Sequence, residues 1–154
     1  MKDALVFAKS LYDLYFERKQ QKMDQMKMHK LMYFLQREAL MKKGMPLFDE
    51  PFYGWKFGPV LKSVRTAYQN NAFDPFEMVD AYLDADDMSL VKAVLERYAD
   101  LGSWKLSELS HSEYSWNRAR TGLQPSENGD RPLDLNAMKV DAARESAARR
   151  KLYG

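Results

Sequence analysis

Cysteine is absent from the 154-residue chain, and histidine occurs only twice. Without cysteine there is no disulfide, no thiolate nucleophile and no Cys-ligated zinc or iron–sulfur cluster. His29 and His111 are too few for a three-histidine site, so we predict no metal and no cofactor. No run of 18 apolar residues occurs, and the N-terminus MKDALVFAKS is charged. We therefore predict no membrane span and no membrane partner, and we expect a cytoplasmic protein.

The composition is that of an ordinary folded protein, with 45% hydrophobic and 30% charged residues. Such a composition argues against long disorder and collagen-like repeats. The length fits one hydrophobic core, so residues 1–154 are predicted to form a single domain.

The net charge of +2 conceals three blocks of different sign. Residues 1–65 carry 13 Lys and Arg against 7 Asp and Glu, residues 66–113 carry 3 against 10, and residues 114–154 carry 8 against 5. Such blocks either decorate solvated helix faces or form a surface for a charged partner. The pI of about 8.7 and the acidic middle fall short of the usual nucleic-acid footprint, so nucleic acid is not expected as a partner.

Apolar residues at three- and four-residue intervals predict that most of the chain is helical. A helix is predicted between Asp24, which suits the N-cap, and Gly44, which suits the C-terminal end. Its apolar stripe is so wide that we expect this helix at the centre of the fold. Pro59 and Asp74 are predicted to start two further helices, the second ending near Leu83. The remaining predicted helices cover residues 3–18, 86–102, 103–111, 115 onwards and 134 to the end.

Two stretches that contain proline and glycine are predicted not to be helical. Between Met45 and Phe57, prolines and alternating aromatic residues favour an extended segment with a short strand pair around residues 51–57. Residues 121–134 collect Gly, Pro, Ser, Asn and Asp and are predicted to form a flexible loop before the C-terminal helix. The predicted fold class is mainly α, a compact bundle of five to seven helices with at most that strand pair.

Few residues offer catalytic chemistry. Asp49 and Glu50 are adjacent carboxylates in a loop, and we interpret them as solvated. His29 has no nucleophile motif beside it. We interpret His111 as a structural residue that ends one helix and whose ring bridges backbone groups to the next turn. A small cytoplasmic enzyme that uses His111, or Asp49 with Glu50, stays an alternative.

Four motifs follow one another along the chain: KLMYF at 30–34, GMPLF at 44–48, WKFGPV at 55–60 and LSELSHSEYSWNRAR at 106–120. In this order they resemble the motifs of the Panacea (SocA-like, GepA-like) antitoxin domain. One departure is Ser115, where the family pattern has proline before Trp116. Serine also suits a helix start, so we expect no change of fold. The resemblance implies structural roles for the motif residues Lys30, Tyr33, Phe34, Gly58, Pro59, Val60 and His111.

The function that the resemblance implies is that of an antitoxin in a bacterial or phage toxin–antitoxin system. Such a protein is not an enzyme and neutralises a cognate protein toxin by direct binding. One branch of the family resembles proteolytic adaptors, so an AAA+ protease is a second implied partner. The alternative is a DNA-binding transcriptional regulator that controls its own expression, and homodimerisation is left open.

Six residues of the motif segments are predicted to bind the partner, because interfaces favour aromatic anchors and arginine. They are Trp55, Lys56, Phe57, Tyr114, Trp116 and Arg120. Core packing of the same aromatic residues is the competing interpretation. The acidic block is a further candidate contact, since it would suit a basic groove on a toxin.

Overall fold

The computed structural model describes residues 1–74 and 83–153, and helices dominate this part of the chain. Its elements, in chain order, are α1 (Ala4–Lys19), α2 (Gln25–Lys43), β1 (Tyr53–Trp55), β2 (Gly58–Val60), α3 (Lys62–Gln69), α4 (Ala85–Tyr98), α5 (Ser103–His111), α6 (Tyr114–Ala119) and α7 (Leu135–Tyr153). The prediction of a mainly α fold with five to seven helices is confirmed. The helix predicted from Asp74 to Leu83 falls outside the described residues, apart from its two ends.

Helix α2 lies at the centre of the fold, as its wide apolar stripe predicts. Every residue in 28–40 is buried, and the helix contacts α1, α3, α4, α5, α7 and β2. Asp24 caps its start by accepting the backbone N–H of Lys27 at 2.8 Å. Gly44 ends it in the left-handed conformation, with φ at 72°. Both predicted ends are confirmed, because caps are signals that a few neighbouring residues carry.

Aromatic side chains from several elements fill the core beside α2. Phe34 stacks on Tyr98 of α4, with ring centroids 4.4 Å apart. Phe48, in the loop after α2, packs between Phe7 of α1 at 6.0 Å and Phe52 at 5.9 Å. Burial of one such ring stabilises a fold by roughly 1.5–3 kcal/mol. The loop is therefore anchored in the core just before the hairpin begins.

The segment around Pro59 forms a β-hairpin, so the prediction that Pro59 starts a helix is wrong. Pro59 lies in β2 opposite Gly54, and α3 begins only at Lys62. Both backbone groups of Gly54 are used elsewhere: its N–H donates to the Arg131 carbonyl and its carbonyl accepts from Arg120. Proline has no N–H to offer and therefore fits this position opposite Gly54. The predicted strand pair exists but extends to residue 60, beyond the predicted 51–57.

The boundary between α4 and α5 also differs from the prediction. Helix α4 starts after Asp84, whose side chain accepts the Asp87 N–H at 2.8 Å, and it ends at Tyr98. Gly102, predicted to end this helix, instead occupies the N-cap position of α5. Glycine is compatible both with the C-terminal end of one helix and with the N-cap of the next. The residue type alone therefore does not distinguish the two positions. The ends of α5 and the restart before Ser115 agree with the prediction.

The C-terminal helix begins where the sequence predicts it. The Ala137 N–H donates to the Asp134 side chain at 3.2 Å. The loop before it, residues 121–134, meets the hairpin near its end, where the Leu133 N–H donates to the Phe52 carbonyl at 2.8 Å. Flexibility of this loop stays a prediction. Among the helices of the described residues, none combines the length and hydropathy that a bilayer crossing needs.

Candidate partner-binding site

Helix α6 holds the hairpin in place through two buried side chains. The Trp116 indole N–H donates to the Trp55 carbonyl at 2.8 Å. Arg120 donates to the carbonyls of Gly54 at 3.0 Å, Gln124 at 3.1 Å and Glu127 at 2.7 Å. The two side chains are predicted as binding residues, yet their residues are only 8% and 6% exposed. In this position they support the hairpin from beneath.

The turn of the hairpin rests on Lys30 and α5. Lys30 is buried and donates to the Phe57 carbonyl at 3.1 Å, and its burial lowers its pKa. Gly58 adopts φ of 126°, and a Cβ there would lie 3.4 Å from the Ser110 hydroxyl and 3.6 Å from the Lys30 ammonium. These distances are ordinary contacts, so it is the backbone conformation that requires glycine here. Lys30 and Gly58 thus lie close together at the hairpin turn, and the structural role that the motif implies for them stays a prediction.

His111 ends α5, as predicted, but its ring is used differently. The ring stacks on Trp116 with centroids 4.5 Å apart and planes 9° from parallel. It also lies close to the Phe57 carbonyl of the hairpin, whereas the prediction gave the ring to backbone groups of the turn that follows α5. Burial lowers the pKa of His111, against the opposing effect of that carbonyl. The ring therefore fills the space between α6 and the hairpin turn.

A groove opens between the hairpin, α3 and the loop 121–134. Its volume is about 700 Å³, and we call it the hairpin groove. The residues that line it are Trp55, Lys56, Phe57, Lys62, Arg65, Thr66, Asn128, Gly129 and Asp130. Phe57 is 58% exposed, so its ring is open to solvent at this groove.

Contacts within the hairpin groove fix its walls. Asp130 accepts from the Trp55 indole N–H at 2.9 Å and from Lys62 at 3.1 Å, and these bonds lower its pKa. The Lys62 ammonium lies 3.9 Å from the centre of the Tyr53 ring, and the Arg65 guanidinium 5.3 Å from that of Trp55. Cation–π contacts of this kind contribute about 0.5–1 kcal/mol at exposed sites. Cations at the groove therefore lie directly against the faces of aromatic rings.

The structure separates the six predicted binding residues into three groups. Trp55, Lys56 and Phe57 line the hairpin groove together. Tyr114 is partly exposed on α6 and lies under Arg144 of α7, with 5.2 Å from guanidinium carbon to ring centre. Trp116 and Arg120 are the buried supports described above. Sequence reasoning missed Lys62 and Arg65, although their three-residue spacing on a predicted helix puts both on one face.

A buried polar network fixes the start of α6. The Tyr33 hydroxyl lies 2.9 Å from both Glu113 and Asp141, yet a hydroxyl has one proton to donate. Asp141 also accepts the backbone N–H groups of Tyr114 at 2.7 Å and Ser115 at 3.0 Å, so it caps α6 from α7. Burial raises the pKa of Glu113 to about 7. The buried Arg37 guanidinium, which donates to Glu113 at 2.6 Å, opposes this rise.

This network explains the departure from the family pattern at Ser115. Its N–H donates to Asp141, a bond that proline could not make, and its hydroxyl lies 3.1 Å from that of Tyr33. Ser115 is the second residue of α6 and not its cap. A serine at this position thus adds two polar contacts to the same fold.

The other candidate chemical groups have structural partners. The His29 ring accepts the Leu61 N–H at 3.2 Å, and burial lowers the pKa of His29 to about 4. Glu50 caps α3 by accepting from the Ser63 N–H at 3.1 Å and its hydroxyl at 2.6 Å. Asp49 is exposed. Within residues 1–74 and 83–153, no three Asp, Glu or His residues are grouped as metal ligands.

The basic and acidic blocks meet on the surface of the fold. Arg18 of α1 pairs with Glu96 of α4 at 3.1 Å, and Lys19 pairs with Asp100 at 2.7 Å. Lys43 at the end of α2 lies 3.4 Å from Asp87. Four cations of residues 1–65, namely Lys2, Arg18, Lys19 and Lys43, are thus paired with carboxylates of residues 84–100. The hairpin groove belongs to the same basic block but has one carboxylate for three cations.

A helical body around α2 with a hairpin packed on α6 defines the class of fold. The family model of the SocA-like antitoxin, Panacea domain, matches residues 28–117, which extend from α2 into α6 and include the hairpin. The match covers more than half of the chain, so the protein belongs to this antitoxin family. No curated protein and no solved structure matches the chain.

Proposed function

We propose that this protein is the antitoxin of a toxin–antitoxin pair and that it neutralises a cognate protein toxin by direct, non-catalytic binding. Membership of the SocA-like Panacea family carries the proposal, and the matched residues 28–117 include the hairpin and its support Trp116. The proposed location is the cytoplasm. An antitoxin of this kind blocks the chemistry of its partner and needs no reaction centre of its own.

The hairpin groove is the proposed contact surface. Two of its residues, Trp55 and Arg65, are of the types that carry most binding energy at interfaces. Its walls are held by Asp130, and its floor by Trp116 and Arg120, so little ordering is needed when a partner arrives. Preorganisation of this kind strengthens binding, since less conformational entropy is lost on association.

The pairing of the charge blocks disfavours a DNA-binding regulator. Cations that could contact phosphates on α1 already face carboxylates of α4. The same pairing weakens the idea that the acidic block covers a basic groove on a toxin. We therefore assign partner binding to the hairpin groove and not to α4.

Delivery of the toxin to an AAA+ protease is a further part of the proposal, and only the family resemblance supports it. It predicts that the toxin is degraded faster in cells that contain this protein. An antitoxin that acts by occlusion alone would leave the lifetime of the toxin unchanged or longer. A homodimer is likewise tested by the mass of the purified protein in solution.

Co-expression with the product of the neighbouring gene tests the proposed function. We expect that product to arrest growth when expressed alone, and growth to recover when this protein is present. The two proteins should also purify together. A neighbouring product that is harmless alone, or that stays toxic and fails to co-purify, would contradict the antitoxin assignment.

A further inference from the structure

We propose that the hairpin groove receives an acidic segment of the toxin, with an apolar side chain of that segment packed against Phe57 and Trp55. The inference rests on the proposed function and specifies the chemistry of its partner. Nothing in the family match assigns a surface or a partner charge. The groove itself supplies three arguments.

The first argument is the excess of positive charge. Lys56, Lys62 and Arg65 line the groove, and Asp130 is the single carboxylate among the lining residues. Lys62 is paired with Asp130, whereas Lys56 and Arg65 form no ion pair with any described residue. The cations of α1 are in the opposite situation, because α4 supplies their carboxylates. The groove is therefore the place where this basic block has charge left for a partner.

The second argument is the apolar surface beside those charges. Phe57 is 58% exposed at the tip of the hairpin, and the Trp55 ring is fixed by its bond to Asp130. An acidic segment with one apolar side chain would neutralise the cations and cover the rings together. A purely apolar partner would remove water from Lys56 and Arg65 without replacing it, which is costly.

The third argument concerns size. About 700 Å³ holds several side chains of an extended segment. Nucleic acid would usually need a longer basic track, and the pI of about 8.7 lies below the usual range for such domains. A protein segment therefore suits the groove better than a nucleic acid strand.

Titration calorimetry of the full chain against the neighbouring gene's product tests the inference. The double variant K56E/R65E should raise Kd at least about tenfold and reduce the salt dependence of binding, because two attractive contacts become repulsive. The milder K56Q/R65Q should give a smaller change in the same direction. The matched control K92E/K139E reverses two exposed cations on α4 and α7 and should leave Kd within about twofold.

The outcomes separate the inference from the proposed function. The wild-type protein could bind and neutralise the toxin while both groove variants keep the wild-type affinity. In that case the inference of an acidic segment is wrong and the antitoxin role is unaffected. If the wild-type protein fails to bind the toxin, the inference and the proposed function are both contradicted. Competition by a single-stranded DNA 12-mer at matched salt, lost in K56E/R65E, would also overturn the inference in favour of nucleic acid. Circular dichroism and thermal unfolding verify that each variant is folded.

Discussion

The hairpin groove and the contact between α1 and α4 are built from the same basic block of sequence but use their charge in opposite ways. Between α1 and α4, Arg18 and Lys19 face Glu96 and Asp100 across the two helices. The groove is lined by three cations and by one carboxylate, Asp130, which pairs with Lys62. Charge counted along the chain therefore says little about charge available to a partner. Only the folded structure distinguishes cations that hold helices together from cations that remain available for binding.

The two regions also differ in how they are supported. The pairs between α1 and α4 are exposed and lie on long helices, so each contributes little to stability. The groove depends on buried bonds from α6, above all those of Arg120 and Trp116. We expect damage to these bonds to impair folding and toxin binding together. Damage to the surface pairs should impair neither strongly.

The largest effect is expected for Arg120→Ala. The change removes three hydrogen bonds to backbone carbonyls and leaves the buried Gly54 carbonyl without its Arg120 donor. We expect the free energy of unfolding to fall by about 2–4 kcal/mol, measured by urea denaturation. Toxin affinity should fall as well, because the hairpin loses its support.

The matched control for this prediction is Arg118→Ala on the same helix. Arg118 is exposed, and its side chain donates to the Tyr114 hydroxyl at 3.3 Å. We expect a change below about 0.5 kcal/mol. Equal stability losses in the two variants would mean that α6 does not hold the hairpin through Arg120.

The support from α6 shows what sequence reasoning could and could not supply. Trp55, Trp116 and Arg120 belong to residue types that are common at interfaces, so residue type alone does not distinguish them. Burial separates them, and burial depends on the packing of α6 beneath the hairpin. Asp130, which holds Trp55, lies 75 positions further along the chain. The residues next to Trp55 in the sequence therefore give no indication of this contact.

The hairpin itself illustrates the same limit at the level of secondary structure. A Gly-Pro pair suits both a helix start and the edge of a strand pair. The choice is made by Arg120 and Arg131, which occupy the backbone groups of Gly54 opposite Pro59. By contrast, the caps Asp24, Gly44 and Asp134 could be predicted, because each acts within one turn of its own helix.

An intermediate effect is expected for Glu113→Gln, which tests the network at the start of α6. The pKa of Glu113 is raised to about 7 by burial, so the folded protein holds a proton that the unfolded chain releases above about pH 4.5. Stability from this group is therefore present at low pH and is lost as the pH rises towards 7. Glutamine keeps the shape and a donor for Tyr33 but does not titrate.

The measurement is the free energy of unfolding at pH 5 and pH 8 for both proteins. The decrease between these two values should be larger in the wild type than in the variant by about 1–3 kcal/mol. Other carboxylates also contribute to the decrease in the wild-type protein. The quantity of interest is therefore the difference between the two proteins. Identical pH profiles would show that Glu113 is ionised throughout.

The smallest effect is expected between α1 and α4, where Arg18 and Glu96 form a double-mutant cycle with Arg18→Gln and Glu96→Gln. Their side chains are 36% and 79% exposed, so solvent and salt screen the pair. We expect a coupling energy of at most about 0.5 kcal/mol that disappears in 1 M salt. Toxin affinity should stay at the wild-type value in all three variants. A loss of affinity here, comparable to that of K56E/R65E, would mean that the paired face binds the partner and that the contrast with the hairpin groove is false.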